Sequence, residues 1–244
     1  MGCGFHTPFL NINNMKIKVE FSKNTSLVPF EYVTNLNGYL HKILGNDNEF
    51  HDKISLYSTS FLHGGKMSKC KKGLNFLNGA TWFVSSPDVD FINKFINSIY
   101  ENVEFAFGME LIKVGLLKYE FNNEDGYYRF KTKSPVLLKS LDFQTKKNKY
   151  LTHEDGVNET SQHMKNIILK KAAESNLPFN SDDFEIFFDY EYSGKKIKWI
   201  KIRSVGNKTS VCPIIIKTTK PEIVDFIYNV GVGNSTGSGF GALV

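Results

Sequence analysis

The stretch GVGNSTGSGFG, residues 231–241, decides the fold because five of its eleven residues are glycines and it follows a helix. Pro221 fits the first turn of that helix, Ile223 and Ile227 recur at helical spacing, and Gly231 stands where a C-terminal cap belongs. A phosphate-binding glycine loop instead precedes its helix, so that the helix N-terminus faces the phosphate. The order here disfavours a nucleotide cofactor site. A flexible loop without a function of its own remains the simplest alternative.

The first half of the chain predicts a β-α-β-β-α-β order. MKIKVEF, residues 15–21, alternates charged and apolar residues as a half-buried strand does. The elements that follow are a helix after Pro29 that closes near Gly45, strands at 54–62 and 81–85, a helix opened by Ser86-Pro87-Asp88, and a strand at 105–121. This order is typical of the ferredoxin-like unit, in which two helices cover four antiparallel strands.

The second half predicts the same order again. Its elements are a strand at 127–139, a helix at 160–175, a hairpin of strands 183–192 and 195–203, the helix from Pro221, and a last strand in GFGALV. We therefore predict an α+β fold of two tandem ferredoxin-like (RRM-like) β-α-β-β-α-β domains, residues 1–122 and 123–244.

The predicted hairpin in the second half turns at Ser193-Gly194, and this turn would fix its register. Glu191 would then lie opposite Lys196, and Asp189 opposite Lys198. Phe188 would meet Trp199 on the other face. Beyond Trp199 the alternation fails, which suggests a bulge or the end of the strand. On this interpretation two of the lysines are paired with acids across the strands.

Composition restricts the class of protein. The 244 residues carry a formal net charge of +5, which is compatible with an RNA partner and with many enzymes. Only two arginines are present, so phosphate binding would depend on lysine. No long apolar run or signal peptide is visible. The three cysteines are far apart, which argues against a disulfide framework and a zinc site. We expect a cytoplasmic protein with reduced thiols and no metal.

Two motifs carry a resemblance to a known family. The first is a glycine pair, a polar spacer and a terminal Gly-Phe-Gly, formed by Gly231, Gly233, Gly237, Gly239, Phe240 and Gly241. The second is VPFEYVTNLNGYLHKIL, residues 28–44, which is similar to the family's first helix and the proline before it. On these motifs the chain resembles the CRISPR-associated endoribonucleases of the sixth Cas family, in the RAMP superfamily, over residues 15–244.

The resemblance implies binding of the repeat RNA of a long CRISPR transcript and one metal-independent cut per repeat, which releases guide RNAs. The ribose 2′-hydroxyl attacks the neighbouring phosphate and leaves a 2′,3′-cyclic phosphate and a 5′-hydroxyl. Such chemistry needs a base, an acid and positive charge near the phosphorane, which histidine with tyrosine or lysine can supply. We expect no cofactor, a monomer or homodimer, and CRISPR effector proteins as further partners.

Three residues are candidates for catalysis. In the family the catalytic residues lie at the end of the first helix and just after it, and His41 and His51 match these places. The resemblance implies that His51 is the general base or acid, that His41 is its partner in proton transfer, and that Lys53 stabilises the phosphorane charge. Tyr39 and Tyr57 are structural residues or reserve proton donors. A single histidine more often serves packing or the surface than catalysis.

The RNA-binding candidates are a glycine-bounded basic loop and the glycine stretch. They are Lys66, Lys69, Lys71, Lys72, Gly231, Gly233, Asn234, Ser235, Gly237 and Gly239. Main-chain amides and short polar side chains of the glycine stretch would hold the RNA backbone, and His63 stands beside the lysines. A solvated turn explains these lysines equally well, and Lys165, Lys170 and Lys171 fit the wet face of a helix.

Two other functions fit the same residues. A non-catalytic RAMP subunit, which binds guide RNA inside an effector complex, needs the fold and the glycine stretch but no histidine pair. A two-domain scaffold for a protein or a small molecule predicts no RNA affinity that weakens with salt.

Overall fold

The first half of the chain forms a four-stranded antiparallel sheet. The computed structural model describes residues 15–45, 54–119, 121, 125–141, 146–202 and 204–244. The first half contains β1 (Met15–Phe21), α1 (Val33–Leu44), β2 (Ser58–Thr59), β3 (Lys66–Met67), β4 (Leu74–Asn75), β5 (Ala80–Ser85), α2 (Val89–Ile99) and β6 (Leu111–Lys118). The sheet order is β2-β5-β1-β6, and β3 pairs with β4 in a separate hairpin.

β1 lies inside this sheet, between β5 and β6. Its Ile17, Val19 and Phe21 are buried in the core. Lys18 and Glu20 lie on the other face, where their side chains form an ion pair at 2.6 Å. Successive side chains of a strand point to opposite faces, so the alternation of MKIKVEF sets which face carries the helices.

α1 and α2 bury their apolar faces against that side of the sheet. Leu36 and Leu40 of α1 and Phe91 and Phe95 of α2 belong to one buried cluster with the apolar residues of β1. Burying each such side chain contributes about 1.5–3 kcal/mol. As predicted, α2 begins after Asp88, whose carboxylate accepts hydrogen bonds from two amides of the first turn.

The second half forms a smaller sheet with two inserted hairpins. It contains β7 (Tyr127–Phe130), β8 (Leu138–Leu141), β9 (Asn148–Leu151), α3 (Val157–Glu174), β10 (Glu185–Phe188), β11 (Lys196–Ile202), β12 (Val205–Val211), β13 (Ile214–Lys217) and α4 (Pro221–Val230). The sheet order is β10-β13-β7, and an isolated antiparallel bridge joins Thr132 to Leu243 beside it. β8 pairs with β9, and β11 pairs with β12.

Both sheets have the strand order of a ferredoxin-like unit. With the hairpins set aside, each half runs strand, helix, strand, strand, helix, and then a segment beside the first strand. Each half also has its own buried apolar cluster. The predicted α+β fold of two tandem ferredoxin-like units is confirmed. The boundary between residues 122 and 123 touches residues outside the described ranges and stays a prediction.

The predicted hairpin that turns at Ser193-Gly194 is wrong. β10 pairs with the isoleucine-rich β13, and β11 pairs with β12. The two strands separate at Asp189, whose carboxylate accepts from the Arg129 guanidinium at 2.6 Å and whose amide donates to the Pro213 carbonyl. The three isoleucines of β13 suit the buried Ile186 and Phe188 of β10 better than a lysine-rich strand does. The predicted pairing of Lys196 with Glu191 and of Lys198 with Asp189 therefore does not occur.

Several predicted strands are shorter than their apolar pattern suggests. The strand at 54–62 reduces to Ser58–Thr59, and the strand at 105–121 to Leu111–Lys118. The strand at 127–139 divides into β7 and β8, with Pro135 between them. GFGALV forms a single bridge rather than a strand, although the Val244 and Lys131 main chains exchange hydrogen bonds. β11 in turn continues past Trp199 to Ile202.

Candidate nucleic-acid interface

The glycine loop, residues 231–241, passes very close to other main-chain atoms. At Gly241, φ is 64° and a Cβ atom would lie 1.8 Å from the carbonyl oxygen of Val232. At Gly233, φ is 86° and a Cβ atom would lie 2.4 Å from the carbonyl oxygen of Leu137. Both the positive φ and the close approach require glycine. Tight main-chain packing therefore explains part of the glycine content.

The glycine loop is also fastened to the first half of the chain. The Thr236 hydroxyl donates a hydrogen bond to the carbonyl oxygen of Tyr57 at 3.0 Å. A Cβ atom at Gly237 would lie 2.5 Å from Ser55 Oγ and 2.8 Å from Cζ of Tyr57. The loop is thus seated against residues 55–57, which follow the predicted catalytic segment in the sequence.

A buried lysine holds the glycine loop from the second half. Lys171 of α3 donates to Thr236 Oγ1 and to the Val230 carbonyl oxygen, both at 2.8 Å. Burial lowers the pKa of Lys171 to about 7. The expectation that Lys171 lies on the wet face of its helix is wrong, because the chain needs a donor for these two buried oxygens.

A second buried lysine fastens the C-terminal segment to the first sheet. Lys16 of β1 donates to the Leu243 carbonyl oxygen at 2.5 Å, and its ammonium lies 4.0 Å from the ring centroid of Tyr228. Burial and, to a lesser degree, the positive charge of Lys133 lower the pKa of Lys16 to about 7. The contact lies between the two halves and contributes to their relative position.

The predicted RNA contacts of the glycine loop divide into buried and half-buried residues. The buried ones are Gly231, Gly233, Gly237 and Gly239. Asn234 is half-buried and is used internally, since its amide donates to the Leu137 carbonyl and its Oδ1 accepts from the Lys139 amide. Ser235 and Ser238 are half-buried too. The loop therefore presents short polar side chains at its surface and keeps its glycines inside.

The β3–β4 hairpin carries the predicted basic loop. Its lysines Lys66, Lys69, Lys71 and Lys72 are exposed, and none forms an ion pair with another described residue. A bridge between Val28 and Leu74 holds the hairpin beside the start of α1. Gly73 permits this contact, because a Cβ atom there would lie 2.4 Å from the Val28 carbonyl oxygen. The hairpin thus presents four positive charges from a fixed base.

The β11–β12 hairpin brings further lysines to the same region. It carries Lys196, Lys198, Lys201 and Lys208. Lys201 forms an ion pair with Glu31 at 3.1 Å, and Ile202 packs against the core of the first half. The hairpin therefore extends from the second half to the start of α1. We call the two hairpins, together with residues 28–31 between them, the basic surface.

His41, the one catalytic candidate among the described residues, lies at the end of α1 opposite to the basic surface. His41 is half-buried in the last turn of α1, about 12 Å along the helix axis from Val33. At the Val33 end, a Cβ atom at Gly239 would lie 3.5 Å from the Val33 side chain. His51 and Lys53 lie outside the described residues.

The two reserve tyrosines pack inside the first half of the chain. Tyr39 is buried, and its hydroxyl donates to the Asn102 carbonyl oxygen. Tyr57 is buried and stacks on Phe91, with ring centroids 4.8 Å apart. Burial raises the pKa of Tyr39 to about 12 and also raises the pKa of Tyr57. Both hydroxyls therefore stay protonated near neutral pH, so neither would act as a base.

His63 is neutral at physiological pH. Burial and then the nearby charge of Lys133 lower its pKa to about 4. Its ring packs edge-on against Phe83, with centroids 5.7 Å apart. Any RNA contact at His63 would therefore be a hydrogen bond or a stacking contact, since the ring brings no charge.

Two further features of the described residues concern metals and membranes. No group of three or more histidine, cysteine or acidic residues is arranged to hold a metal ion in the ranges that the structure describes. In the same ranges, every helix is too short or too polar to span a bilayer.

Comparison with known proteins gives the family. Residues 118–244 match the family model described as CRISPR associated protein Cas6, C-terminal. The chain belongs to the Cas6 family. This family takes part in CRISPR RNA processing and in RNA binding. No curated protein sequence matches the chain.

Solved structures agree with a Cas6 fold over almost the whole chain. A protein described as the product of a Cas6-related gene from Pyrococcus furiosus is 20% identical, with a TM-score of 0.77 over 95% of this chain and 98% of its own. A CRISPR associated protein Cas6 is 21% identical, with a TM-score of 0.75 over 95% and 98%. A RAMP protein described as binding different RNA substrates is 18% identical, with a TM-score of 0.75 over 94% and 98%. At these identities the likeness is one of fold.

Sequence reasoning missed the β11–β12 hairpin of this Cas6 protein as a candidate interface. The missed residues are Lys196, Lys198, Trp199 and Lys208. A signal was present in KKIKWIKIR, because lysines on both faces and the failure of alternation beyond Trp199 do not fit a strand of a buried sheet. The tight Ser193-Gly194 turn favoured a different partner strand.

Proposed function

We propose that this Cas6 protein is an endoribonuclease that binds CRISPR repeat RNA and cuts the precursor transcript to release guide RNAs. The cut is metal-independent and leaves a 2′,3′-cyclic phosphate and a 5′-hydroxyl. The protein acts as a monomer or homodimer in the cytoplasm, with CRISPR effector proteins as further partners. Family membership supports RNA processing, and the residues below supply the chemistry.

In the proposed reaction, one histidine takes the proton of the ribose 2′-hydroxyl, and that oxygen attacks the adjacent phosphorus. The bond from phosphorus to the 5′-oxygen breaks, and a second histidine gives that oxygen a proton. We assign these roles to His51 and His41, and we assign Lys53 to the phosphorane charge.

The contact between the glycine loop and residues 55–57 is the observation that carries the proposal. Gly237 lies against Ser55, and Lys53 is two positions earlier in the chain. We propose that Lys53 acts beside this loop, whose surface offers Ser235 and Ser238. We propose that this loop, including Gly231, Gly233, Asn234, Ser235, Gly237 and Gly239, contacts the RNA next to the scissile phosphate, with its glycines setting the backbone path.

We propose that the basic surface binds the RNA on either side of the cut. Lys66, Lys69, Lys71 and Lys72 are exposed and form no ion pair within the described ranges, so they are available to phosphates. Lys196, Lys198 and Lys208 continue this charge along the β11–β12 hairpin, which reaches Glu31 through Lys201. An RNA strand bound there would weaken steeply in affinity as the salt concentration rises.

The test is incubation of the protein with candidate repeat RNAs in excess EDTA, followed by analysis of the product ends. A 2′,3′-cyclic phosphate with a 5′-hydroxyl is expected. Cleavage that stops in EDTA, or that leaves a 5′-phosphate, would contradict the proposed chemistry.

Histidine variants separate catalysis from binding. His51→Ala is expected to lower the cleavage rate about a hundredfold or more and leave RNA affinity nearly unchanged. His41→Ala should give a smaller loss of the same kind. His163→Ala, on the half-buried side of α3, is the matched control and should cleave normally. RNA binding without cleavage by the wild-type protein would instead indicate a non-catalytic RAMP subunit.

A further inference from the structure

Trp199 is the most exposed large aromatic side chain among the described residues. It is 68% exposed in the middle of β11. One side of its indole rests on the main chain of β12, because a Cβ atom at Gly206 would lie 3.6 Å from the ring. Such a side chain adds little to a core, and its position needs another explanation.

Tyr150 of β9 supports the indole from the side. The two ring centroids are 6.5 Å apart at an interplanar angle of 62°. The Tyr150 hydroxyl donates to the Gly206 carbonyl oxygen at 3.0 Å, which fixes both the tyrosine and the strand under the indole. Trp199 is therefore a positioned platform with an open side, rather than a loose surface residue.

Positive charge surrounds this platform. Lys208 lies directly opposite Trp199 in the β11–β12 register, and it forms no ion pair with a described residue. Lys196 and Lys198 lie on the other face of β11, and after burial the charge of Lys196 further lowers the pKa of Lys198. Burial raises the pKa of Asp155, but the hydrogen bonds that its carboxylate accepts from Thr152, and then the charge of Lys208, hold that pKa below its usual value. The surroundings favour a polyanion over a protein partner, whose interfaces are depleted in lysine.

We propose that Trp199 stacks on an unpaired base of the RNA while Lys208 contacts a neighbouring phosphate. This inference rests on the proposed function, since it assumes that the protein binds RNA. It adds the residue on which one unpaired base of that RNA stacks. Stacking of a base on an aromatic side chain contributes about 1–3 kcal/mol, which is about a 5- to 150-fold change in affinity. A base paired in a duplex could not offer its face to the indole, so the site selects single-stranded RNA.

Intrinsic fluorescence tests this proposal directly because the chain has two tryptophans. Trp82 is fully buried and Trp199 is exposed. Titration with an oligoadenylate of about 12 nucleotides should quench the exposed emission in a saturable way at constant salt. An RNA duplex of equal length should leave it nearly unchanged. In Trp199→Phe, the remaining emission of Trp82 should not respond to either RNA.

Affinity measurements complete the test. Trp199→Ala should weaken oligoadenylate binding about 5- to 150-fold, and Trp199→Phe should retain most of the affinity. Tyr100→Ala, which removes another exposed aromatic ring on the first half, should bind as the wild type does. Equal unfolding midpoints of Trp199→Ala and the wild type would exclude a folding defect as the cause.

Several results would overturn the proposal, and they differ in what they imply for the proposed nuclease function. Wild-type affinity in Trp199→Ala, or equal quenching by duplex and single strand, would remove the stacking site and leave the proposed nuclease function intact. A wild-type protein that binds no RNA at all would overturn both. Quenching that occurs without loss of affinity in Trp199→Ala would show only that RNA passes near the indole, and it would also contradict a binding role.

Discussion

The glycine loop and the basic surface were both expected to bind RNA, yet they have opposite physical character. The loop is mostly buried, and two buried lysines, Lys16 and Lys171, hold the loop and the C-terminal segment through main-chain and hydroxyl oxygens. The basic surface is exposed, and most of its lysines form no ion pair among the described residues. The glycines of the loop are required by close main-chain packing. The lysines of the exposed hairpins instead form a charged surface that is accessible to solvent.

Because of this difference, substitutions in the glycine loop and on the basic surface should change different measured quantities. A change in the loop should act first on the free energy of unfolding, because the loop contacts both halves. A change on the basic surface should act on RNA affinity and on its salt dependence, because exposed lysines contribute little to folding. The predictions below test this separation, beginning with the largest effect.

Gly241→Ala should destabilise the fold by about 3 kcal/mol or more. The residue has a φ of 64°, and a Cβ atom would lie 1.8 Å from the Val232 carbonyl oxygen. Urea unfolding measures the change. Gly38→Ala is the control, since Gly38 lies in α1 with open space around it, and alanine there should stabilise by about 0.5–1 kcal/mol. Equal stability of the two variants would mean that the loop is loose, and the contrast with the basic surface would fail.

The sequence predicted the order of elements well and the partners of the strands less well. Periodicity located β1, α1, α2 and α4, because each carries a regular apolar face. It could not distinguish which strand β10 pairs with, because both the alternating β11 and the three consecutive isoleucines of β13 suit a strand, and only tertiary packing favours β13. The partner of a strand depends on residues distant in the sequence, and the local turn signal at Ser193-Gly194 therefore predicted the wrong partner for β10.

The candidate site shows the same limit. The exposure of Lys66, Lys69, Lys71 and Lys72 followed from a glycine-bounded basic loop in the sequence. The burial of Lys171 did not, because its neighbour Lys170 is exposed on the same helix and the two are identical in type. Lys171 differs from Lys170 only in its position beside two acceptor oxygens, Thr236 Oγ1 and the Val230 carbonyl oxygen.

The free energy of unfolding should rise with pH on account of Lys171. Burial lowers its pKa from 10.5 to about 7, so between these values the unfolded chain binds a proton that the folded chain does not. The slope from one such lysine is at most about 1.4 kcal/mol per pH unit. Lys171→Met should lower the measured slope by about this amount between about pH 7.5 and 9, as judged by urea unfolding.

The matched control for Lys171 is its exposed neighbour. Lys170→Met should keep the wild-type slope, because the Lys170 side chain is exposed to solvent in the folded chain as in the unfolded chain. A slope that is identical in the wild type and in Lys171→Met would show that the ammonium is hydrated, and the glycine loop would then resemble the basic surface.

On the basic surface, Lys69→Gln with Lys72→Gln should weaken single-stranded RNA binding about tenfold near 0.1 M salt. The slope of log affinity against log salt should fall by about 1.4 in magnitude, since each phosphate contact on a single strand contributes about 0.7. Lys94→Gln with Lys170→Gln, which removes two exposed lysines from helices α2 and α3, should leave the slope unchanged. An equal loss in both pairs would mean that net charge, rather than the hairpin, attracts the RNA.

The smallest effect is expected at the ion pair between Lys201 and Glu31. This pair is exposed like the rest of the basic surface, but like the glycine loop it joins the two halves of the chain. The pair lies within the basic surface and joins the halves at 3.1 Å, but its side chains are 57% and 50% exposed. Exposed pairs contribute about 0.2–1 kcal/mol. A double-mutant cycle with Lys201→Gln and Glu31→Gln should therefore give a coupling energy below about 1 kcal/mol. A larger coupling would mean that the β11–β12 hairpin helps to hold the halves together, and its lysines would then belong with the glycine loop as structural residues.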